Sequence, residues 1–347
     1  MSDRSGTGRS RYTRGYPDGV GRLTGPWQVV SVLAVLLAGC TGQQAAPGSA
    51  APRAQPSTTA ALRSPGCGKV APTPAGADRS YSIPIAPTLA NGAAERTAIV
   101  HIPAGYRPEV PAPLIVEFHG AGPAATAADY EQGSPLRQIS DSKGFIDVFP
   151  QGLRAPNGNL AWNAYGPVLV KIAEIPFVDR LLDTIEREYC VDAGRVYASG
   201  ASNGGNMVNY LACRDASRFA AVAPVVGPMF GQDDGPCRPS RPVPIIDLHS
   251  VNDLLVPYGG HPGPPAYDFP LPAVPDWLEG WAQLDGCRSA PPATAGADGV
   301  QVRSWSACRG GARIVTYATL AGHGWPQSLD GRPAAETVWG FLSSYRL

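Results

Sequence analysis

The segment around residues 196–209 restricts the possible fold more than any other part of the chain. A short strand-like stretch, Val196–Ser199, runs directly into Gly200-Ala201-Ser202-Asn203-Gly204-Gly205, and an apolar helical pattern starts at Met207. The glycines allow the backbone to turn sharply from a strand into a helix, and they leave the serine hydroxyl exposed at the helix N-terminus. This G-x-S-x-G arrangement predicts a nucleophile elbow with Ser202 as the nucleophile. A plain glycine-rich turn is the alternative.

Strand-like and helix-like segments alternate on both sides of this turn. The predicted strands are Arg96–Ile102, Leu114–Phe118, Phe145–Phe149, Val196–Ser199, Ala220–Val226, Val243–Leu248 and Arg313–Thr319. A helix is predicted from apolar residues at helical spacing, namely Val178, Leu181, Leu182, Ile185 and Tyr189, and a closing helix over Glu336–Tyr345. Such alternation is typical of an α/β protein in which helices cover both faces of a mostly parallel sheet.

The first 39 residues have the features of an export signal. Five arginines precede the apolar stretch Trp27–Ala38, which has twelve residues and is about 18 Å long as a helix. This stretch is too short to span a bilayer core of about 30 Å, so it fits the apolar region of a secretory signal. Cys40 directly follows Leu37-Ala38-Gly39, as in a bacterial lipobox. We therefore expect a diacylglycerol on Cys40 that attaches the protein to the membrane.

Composition separates a tether from a single domain. Residues 41–66 are rich in Ala, Pro, Ser, Thr, Gln and Gly, and they offer too little apolar surface to offset the entropy of ordering. We therefore predict a disordered tether over residues 40–66 and one catalytic domain over residues 67–347. The chain has 28 basic and 28 acidic residues, and no basic stripe. This balance argues against a nucleic-acid partner, and no protein partner is indicated.

Beyond Cys40 the chain has six more cysteines: Cys67, Cys190, Cys213, Cys237, Cys287 and Cys308. An even number in an exported protein suggests disulfides, and six cysteines allow fifteen pairings. The pairing that we favour is Cys67–Cys190, Cys213–Cys237 and Cys287–Cys308. No C-x-x-C or histidine-rich pattern indicates zinc, and the sequence indicates no cofactor.

A serine nucleophile needs a base, and the chain has five histidines: His101, His119, His249, His261 and His323. We predict His323, in a loop after the last predicted strand, because the chain order for such sites is Ser, then Asp or Glu, then His. His119 begins His119-Gly120-Ala121-Gly122, directly after a strand. Such a turn supplies backbone N–H groups to an oxyanion hole, together with the residue after the nucleophile. The predicted donors are Ala121 and Asn203.

The acid should lie between the serine and the histidine, at the end of a strand. Asp253 fits best, because it follows the predicted strand Val243–Leu248 closely. The other candidates are Asp233, Asp234, Asp247, Asp268 and Asp276, which lie in loops, within a strand or after Pro-rich sequence. In this scheme Ser202 attacks an acyl carbon and His323 carries its proton to the leaving oxygen. Asp253 holds the imidazole in the required tautomer.

These motifs together resemble the polyhydroxybutyrate depolymerase and feruloyl esterase family, which is related to carbohydrate esterase family one. The resemblance extends from Cys67 to the end of the chain. Its markers are Gly66-Cys67-Gly68-Lys69, His101-Ile102-Pro103-Ala104-Gly105-Tyr106, His119-Gly120, Phe149-Pro150-Gln151-Gly152, Tyr189-Cys190-Val191-Asp192, Gly200-Ala201-Ser202-Asn203-Gly204-Gly205, Asp253 with Val256-Pro257-Tyr258, and Gly322-His323-Gly324-Trp325-Pro326. The resemblance implies an α/β-hydrolase fold, no metal and no cofactor, and the same three catalytic residues.

Two departures from the family pattern lie near the predicted site. The family usually has His-Gly where this chain has His249-Ser250, and it commonly has Thr where Gly324 follows the histidine. Trp325 and Trp162 are candidate walls of the substrate pocket. The chain ends 24 residues after His323, whereas polymer depolymerases of the family often carry an appended binding domain. We therefore expect soluble or short-chain esters as substrates, and not insoluble polyester.

The N-terminal signal and Cys40, taken together with the resemblance, predict an exported, lipid-anchored serine esterase, at the outer face of the cell membrane or outside the cell. Its expected substrates are short-chain, feruloyl, acetyl-sugar or hydroxyalkanoate oligomer esters, hydrolysed through an acyl-enzyme. Two alternatives remain open: a surface lipoprotein that binds a ligand without turnover, and a serine peptidase on the same fold. The complete set of Ser, Asp and His weighs against the first of these.

Overall fold

The structure is a computed structural model, and it describes residues 60–87, 92–164, 173–227, 236–263, 270–288 and 292–347. The predicted signal at residues 1–39, Cys40 and most of the predicted tether lie outside these residues. Three of the alternative acids, Asp233, Asp234 and Asp268, lie outside them too. Within the described ranges, every helix is too short or too polar to cross a membrane.

The strands that the structure describes are β1 (Asp78–Pro84), β2 (Glu95–His101), β3 (Ala112–Phe118), β4 (Ile146–Pro150), β5 (Leu153–Arg154), β6 (Leu160–Ala161), β7 (Val191–Ala201), β8 (Ala221–Val225), β9 (Ile245–Ser250), β10 (Thr294–Ala295), β11 (Gln301–Trp305), β12 (Ile314–Thr319), β13 (Ser328–Leu329) and β14 (Arg332–Pro333). Ten of them form one sheet in the order β1-β2-β4-β3-β7-β8-β9-β12-β11-β10. The central strands from β4 to β12 are parallel, and antiparallel strands lie at both edges.

The described helices are α1 (Ala127–Gly133), α2 (Arg137–Lys143), α3 (Glu174–Glu188), α4 (Asn203–Arg214), α5 (Val274–Leu284) and α6 (Ala334–Leu342). Apolar residues of α3, α4 and α5 pack in one core against one face of the sheet. Residues of α6, with Leu136 and Ile139 near α2, pack in a second core on the other face. Side chains alternate between the two faces along a strand, so Val116 and Ile115 of β3 belong to different cores. The prediction of a mostly parallel α/β sheet covered on both faces is confirmed.

Every strand predicted from the sequence is present. The predicted helix around residues 178–189 is α3, and the predicted closing helix is α6. The sequence analysis did not predict β1, β10, β11, α1, α2 or α5.

The predicted tether is too long at its C-terminal end, because residues 60–66 pack on the domain. The Leu62 N–H donates to Asp192 Oδ1 at 3.1 Å, and the Ser64 hydroxyl donates to the Tyr189 carbonyl at 2.7 Å. Ser64 is only 5% exposed. Hydrogen bonds to Asp192 and Tyr189 hold this segment, and composition does not reveal them.

Three disulfides join the pairs that the sequence analysis favours: Cys67–Cys190, Cys213–Cys237 and Cys287–Cys308. The first fixes the ordered N-terminal segment beside the start of β7. The second joins α4 to the chain before β9, and the third joins the end of α5 to the loop after β11. The predicted pairing is confirmed.

Candidate active site

The predicted catalytic side chains lie beyond the carboxyl ends of the parallel strands. Ser202 directly follows β7, Asp253 follows β9, and His323 follows β12. These strands belong to the parallel part of the sheet. Ligands of open α/β sheets bind beyond the carboxyl ends of parallel strands, so residues far apart in the chain converge there.

Two hydrogen bonds join the three side chains. Ser202 Oγ lies 2.8 Å from His323 Nε2, and His323 Nδ1 lies 2.7 Å from Asp253 Oδ2. The Asp253 side chain is fully buried, whereas that of His323 is 20% exposed. Because Nδ1 carries a proton and donates a hydrogen bond to the carboxylate, the lone pair of Nε2 is free to accept the serine proton. The structure therefore brings the predicted nucleophile, base and acid together in the predicted order.

The turn that carries the serine is strained and tightly packed. Ser202 has φ 57° and ψ −121°, a conformation that costs a non-glycine residue about 1–3 kcal/mol. The Ser202 N–H is anchored at 2.8 Å on the Val225 carbonyl. A Cβ on Gly204 would overlap the Phe118 carbonyl oxygen, and one on Gly200 would lie 2.7 Å from the Gly204 carbonyl oxygen. The glycines of the motif are therefore required by the close approach of β3, β7 and α4.

The carboxylate is held by its own loop. Asp253 Oδ1 accepts the N–H groups of Leu255 and Val256, both at 2.8 Å, so Oδ2 is left for the histidine. His249 Nε2 lies 3.2 Å from the Val256 carbonyl oxygen, to which it donates. Burial lowers the pKa of His249 to about 4. His249 is thus a neutral support of the acid loop and not a second base.

The predicted oxyanion donors flank the serine. Asn203 is the first residue of α4, where the unpaired N–H groups of a helix start and its dipole favour negative charge. The Gly120–Ala121 peptide also lies close to the serine, since a Cβ on Gly120 would be 3.4 Å from Ser202 Cβ. Serine, base, acid and two flanking amides are the parts that acyl transfer requires.

Comparisons with known proteins agree with this arrangement. The family model described as Esterase PHB depolymerase matches residues 98–239, which include the His119-Gly120 turn and the serine elbow. Feruloyl esterase B of Piromyces equi is 30% identical over 256 residues, which are 73% of this chain and 46% of that protein. Probable feruloyl esterase C of Aspergillus terreus is 26% identical over 297 residues, 82% of this chain and 93% of that protein. The chain is therefore similar to the polyhydroxybutyrate depolymerase family over residues 98–239 and to feruloyl esterases over most of its length.

A solved structure supports the fold independently. The acetyl xylan esterase from Aspergillus awamori superposes with a TM-score of 0.53 over 77% of this chain and 99% of that chain. The two sequences are 14% identical, so this likeness establishes the α/β-hydrolase fold alone. The chain spans less than half of the length of the Piromyces relative.

One departure from the family pattern has a structural consequence. Ser250 stands where the family usually has glycine, and its hydroxyl oxygen accepts the Gly322 N–H at 2.9 Å. A main-chain bond of 2.9 Å from the Val251 N–H to the Thr319 carbonyl lies beside it. The loop that carries the acid is therefore tied to the loop that carries His323.

The alternative acids and histidines lie elsewhere in the described structure. Asp247 is buried on β9, accepts the Thr316 hydroxyl at 2.7 Å, and burial raises its pKa to about 7. Asp276 lies in the first turn of α5. His101 lies between Asp78 and Asp141, and His261 pairs with Leu271 through a backbone bridge. The carboxylate at His323 Nδ1 is that of Asp253.

Trp162 supports the site from within the core. Only 3% of it is exposed. Its backbone N–H donates to Asn203 Oδ1 at 2.7 Å, and Asn203 Nδ2 donates back to its carbonyl oxygen at 3.1 Å. Its indole N–H donates to the His119 carbonyl at 2.9 Å. These contacts hold Asn203 and the start of the His119-Gly120 turn, and the burial leaves little surface for the predicted pocket wall.

Trp325 is half-buried on the loop that carries His323. Its indole N–H lies 3.3 Å from the Tyr130 hydroxyl oxygen, so it joins that loop to α1. Its place two residues after His323 keeps it a candidate for the substrate pocket. Among the residues that the structure describes, no group of three or more His, Cys, Asp or Glu is placed to hold a metal ion.

Proposed function

We propose that this protein is a serine esterase that hydrolyses carboxylic esters through an acyl-enzyme. The observation that supports this most strongly is the hydrogen-bonded series Asp253–His323–Ser202 at the carboxyl edge of the sheet. A ligand-binding protein needs no such series, since binding uses neither an activated hydroxyl nor a base.

In the proposed reaction Ser202 Oγ attacks the ester carbonyl carbon, and its proton moves to His323 Nε2. The carbonyl oxygen becomes an oxyanion that accepts hydrogen bonds from the backbone N–H groups of Ala121 and Asn203. The C–O bond to the alcohol then breaks, and His323 gives its proton to the leaving oxygen. Water attacks the acyl-serine by the same steps and releases the acid. Asp253 stabilises the imidazolium at each stage.

The names of the relatives suggest the substrate class. Feruloyl esterase B and probable feruloyl esterase C match this chain, and a bifunctional acetylxylan esterase/xylanase of Neocallimastix patriciarum also matches it. We propose esters of feruloyl or acetyl groups on sugars, with simple short-chain esters and hydroxyalkanoate oligomers as the other members of the class.

We further propose that the protein is exported and held at the membrane by lipid on Cys40. The three disulfides support export, because disulfides persist mainly in oxidising compartments. Wild-type protein should partition into the detergent phase, whereas Cys40→Ala should be released into the aqueous phase with its activity unchanged. Equal partitioning of the two proteins would exclude the anchor.

The test of the activity is turnover of p-nitrophenyl acetate by the wild type, Ser202→Ala and His323→Ala. We expect each substitution to lower kcat by about 10⁵–10⁶-fold, as in other serine hydrolases whose serine or histidine is removed. Ser142→Ala, a change of an exposed serine on α2, should leave kcat unchanged.

A panel of feruloyl, acetyl-sugar, hydroxybutyrate oligomer and simple acyl esters then ranks the substrates by kcat/KM. Cleavage of peptide amides without ester turnover would instead support the peptidase. No turnover of any substrate by folded wild-type protein would support a ligand-binding role.

A further inference from the structure

We propose that exposed apolar residues on the two loops that carry Asp253 and His323 bind the alcohol part of the ester, so that the enzyme prefers esters of apolar alcohols to esters of sugars. This inference rests on the proposed esterase function, and it selects among the substrates of the proposed class. The residues, which we call the apolar rim, are Val251, Leu254, Leu255 and Leu320.

The side chains of the apolar rim are strongly exposed. Leu254 is 89% exposed, Leu255 61%, Leu320 55% and Val251 44%. A single exposed apolar side chain is ordinary on a protein surface, whereas a group of them on one surface marks a site of interaction. The rim therefore needs a ligand to explain it.

The rim differs from the other large apolar side chains that are exposed in the described part of the chain. Those are Leu62, Val70, Val110 and Leu347. Each of these four is next in sequence to a charged residue, namely Arg63, Lys69, Glu109 and Arg346. In the rim the only charged neighbour is Asp253, which is buried, and residues 318–329 contain no Asp, Glu, Lys or Arg. The rim is therefore an uncharged apolar surface.

A backbone contact joins the two loops of the rim. The Val251 N–H donates to the Thr319 carbonyl oxygen at 2.9 Å, so Val251 lies beside the Thr319–Leu320 peptide. The Leu320 side chain rests against Gly299, where a Cβ would lie 3.2 Å from Leu320 Cδ1. The rim thus extends from the loop after β9 across the loop after β12.

The catalytic acid holds the rest of the rim beside the catalytic histidine. Asp253 Oδ2 lies 2.7 Å from His323 Nδ1. Asp253 Oδ1 accepts the N–H groups of Leu255 and Val256, both at 2.8 Å. These bonds close a tight turn over the carboxylate, with Leu254 at its tip. The turn is therefore attached to the base through the acid that both contact.

The stereochemistry of the proposed reaction places the alcohol on this side of the site. In the tetrahedral intermediate the oxyanion faces the backbone N–H groups of Ala121 and Asn203. The leaving oxygen must face His323 Nε2, because it receives its proton from that atom. The alcohol chain therefore continues from the leaving oxygen toward the loops of His323 and Asp253, and the acyl chain leaves the carbonyl carbon in another direction.

The rim also lies far from the point where the chain enters the domain. The Leu62 N–H donates to Asp192 near the start of β7, whereas the rim lies beyond the carboxyl ends of the parallel strands. The eleven residues of β7 span about 36 Å. This separation favours the substrate, and not a membrane, as the occupant of the rim.

An apolar surface of this kind discriminates between alcohols. A methylene that is half buried against it should raise kcat/KM by about twofold. Hexyl acetate has four more methylenes than ethyl acetate, so its kcat/KM should be higher by about 15-fold. A sugar hydroxyl finds no hydrogen-bond partner on leucine or valine side chains, and its burial there is unfavourable.

The test is a series of acetates, each at concentrations where it is monomeric in solution: ethyl, butyl and hexyl acetate, and an acetate of methyl glucoside. All of them form the same acetyl-enzyme, so differences in kcat/KM report on the alcohol alone. In the wild type we expect a hexyl-to-ethyl ratio of about 15. The acetate of methyl glucoside should react more slowly than hexyl acetate.

The double variant Leu254→Ser/Leu320→Ser removes one side chain from each loop of the rim. Its hexyl-to-ethyl ratio should fall to about threefold or less. A ratio within one protein cancels any change in the catalytic groups. The ratio of ethyl hexanoate to ethyl acetate, which reports on the acyl chain, should stay that of the wild type. Val70→Ser is the matched control, because Val70 is 94% exposed but lies three residues after Cys67, away from the site, and it should change neither ratio.

The possible results are distinct. No Ser202-dependent turnover of any acetate would refute the esterase function itself. If that turnover is present, a wild-type hexyl-to-ethyl ratio near one, a faster glucoside acetate, or an unchanged ratio in the double variant would overturn the role of the rim. A change confined to the acyl series would also overturn it. If the double variant does not fold, Leu254→Ser decides: a ratio lowered by about twofold or more supports the role, and a wild-type ratio overturns it.

Two other occupants of the rim would give other results. In a Cys40→Ala background, the double variant would lose binding to phosphatidylcholine vesicles if the rim contacted a membrane. It would lose self-association if the rim contacted a second copy of the chain. Either loss, with the acetate ratios unchanged, would overturn the proposal.

Discussion

The two halves of the candidate site are held together by different forces. On the nucleophile side, β3, β7 and α4 meet backbone against backbone, and a Cβ on Gly204 has no space. On the acid–base side, Asp253 and His323 stand on loops that hydrogen bonds connect, and the neighbouring Leu254 is 89% exposed. Adding a single carbon to a glycine of the nucleophile side should therefore destabilise the fold. The acid–base side should keep its structure and its activity on short-chain esters after any substitution that preserves its hydrogen bonds.

The largest effect should come from Gly204→Ala. The added Cβ would overlap the Phe118 carbonyl oxygen, and backbone atoms of two packed elements have no cheap way to move. We expect a melting temperature lowered by about 10 °C or more, or no folded protein at all. Gly280→Ala is the matched control, because a Cβ there meets no neighbouring atom and Ala is the better helix former in α5. If both variants melt like the wild type, steric packing does not define the nucleophile side.

The next effect concerns the acid. Asp253→Asn preserves shape but favours the wrong imidazole tautomer, so kcat should fall about 10⁴-fold, with folding preserved. Asp247→Asn, a neighbouring buried carboxyl on β9, should change kcat little, because its Oδ2 accepts the Thr316 hydroxyl and an amide oxygen can replace it. Steady-state kinetics on p-nitrophenyl acetate distinguish them. A larger loss in Asp247→Asn would move the acid to that residue.

Asp247 should also make the stability of the protein depend on pH. Burial raises the pKa of Asp247 from 3.8 to about 7. Between about pH 4 and pH 7 this carboxyl binds a proton in the folded state but not in the unfolded state. Its contribution to the free energy of unfolding is therefore complete below pH 4 and is lost as the pH rises to 7. In Asp247→Asn the fall in melting temperature between pH 5 and pH 8 should be smaller by a few degrees. An unchanged fall would show that Asp247 does not titrate in this way.

The smallest effect should follow removal of the link between the two loops. Ser250→Gly loses the acceptor of the Gly322 N–H. One hydrogen bond contributes about 1 kcal/mol, so kcat should fall by about fivefold or less. Ser344→Ala, a change of an exposed serine after α6, should have no effect. A loss above about 10²-fold in Ser250→Gly would show that the acid–base side is as intolerant as the nucleophile side.

The sequence predicts the catalytic side chains of both halves, but it does not predict the contacts that hold them. Ser202, Asp253 and His323 were predictable, because each follows a strand of apolar residues and the chain order of the three is fixed by the topology. The glycine motif predicted the elbow for the same reason. The disulfide pairing was favoured from the sequence, but only the structure selects it from fifteen possibilities.

Other features depend on contacts between distant residues. Gly152 and His119 are 33 residues apart, and Ser250 and Gly322 are 72 apart, so no local pattern shows that they meet. The packed segment at residues 60–66 was missed because hydrogen bonds to Asp192 and Tyr189, and not apolar side chains, hold it. Edge strand β1 was missed because most of its residues are exposed.

The most direct test of the central claim is the mass of the folded protein after treatment with a fluorophosphonate, followed by peptide mapping. The account predicts one adduct, located on Ser202, that forms at least about 10³-fold more slowly in His323→Ala, since the base that activates the hydroxyl is gone. An unlabelled wild-type protein, or an adduct on another residue, would contradict it.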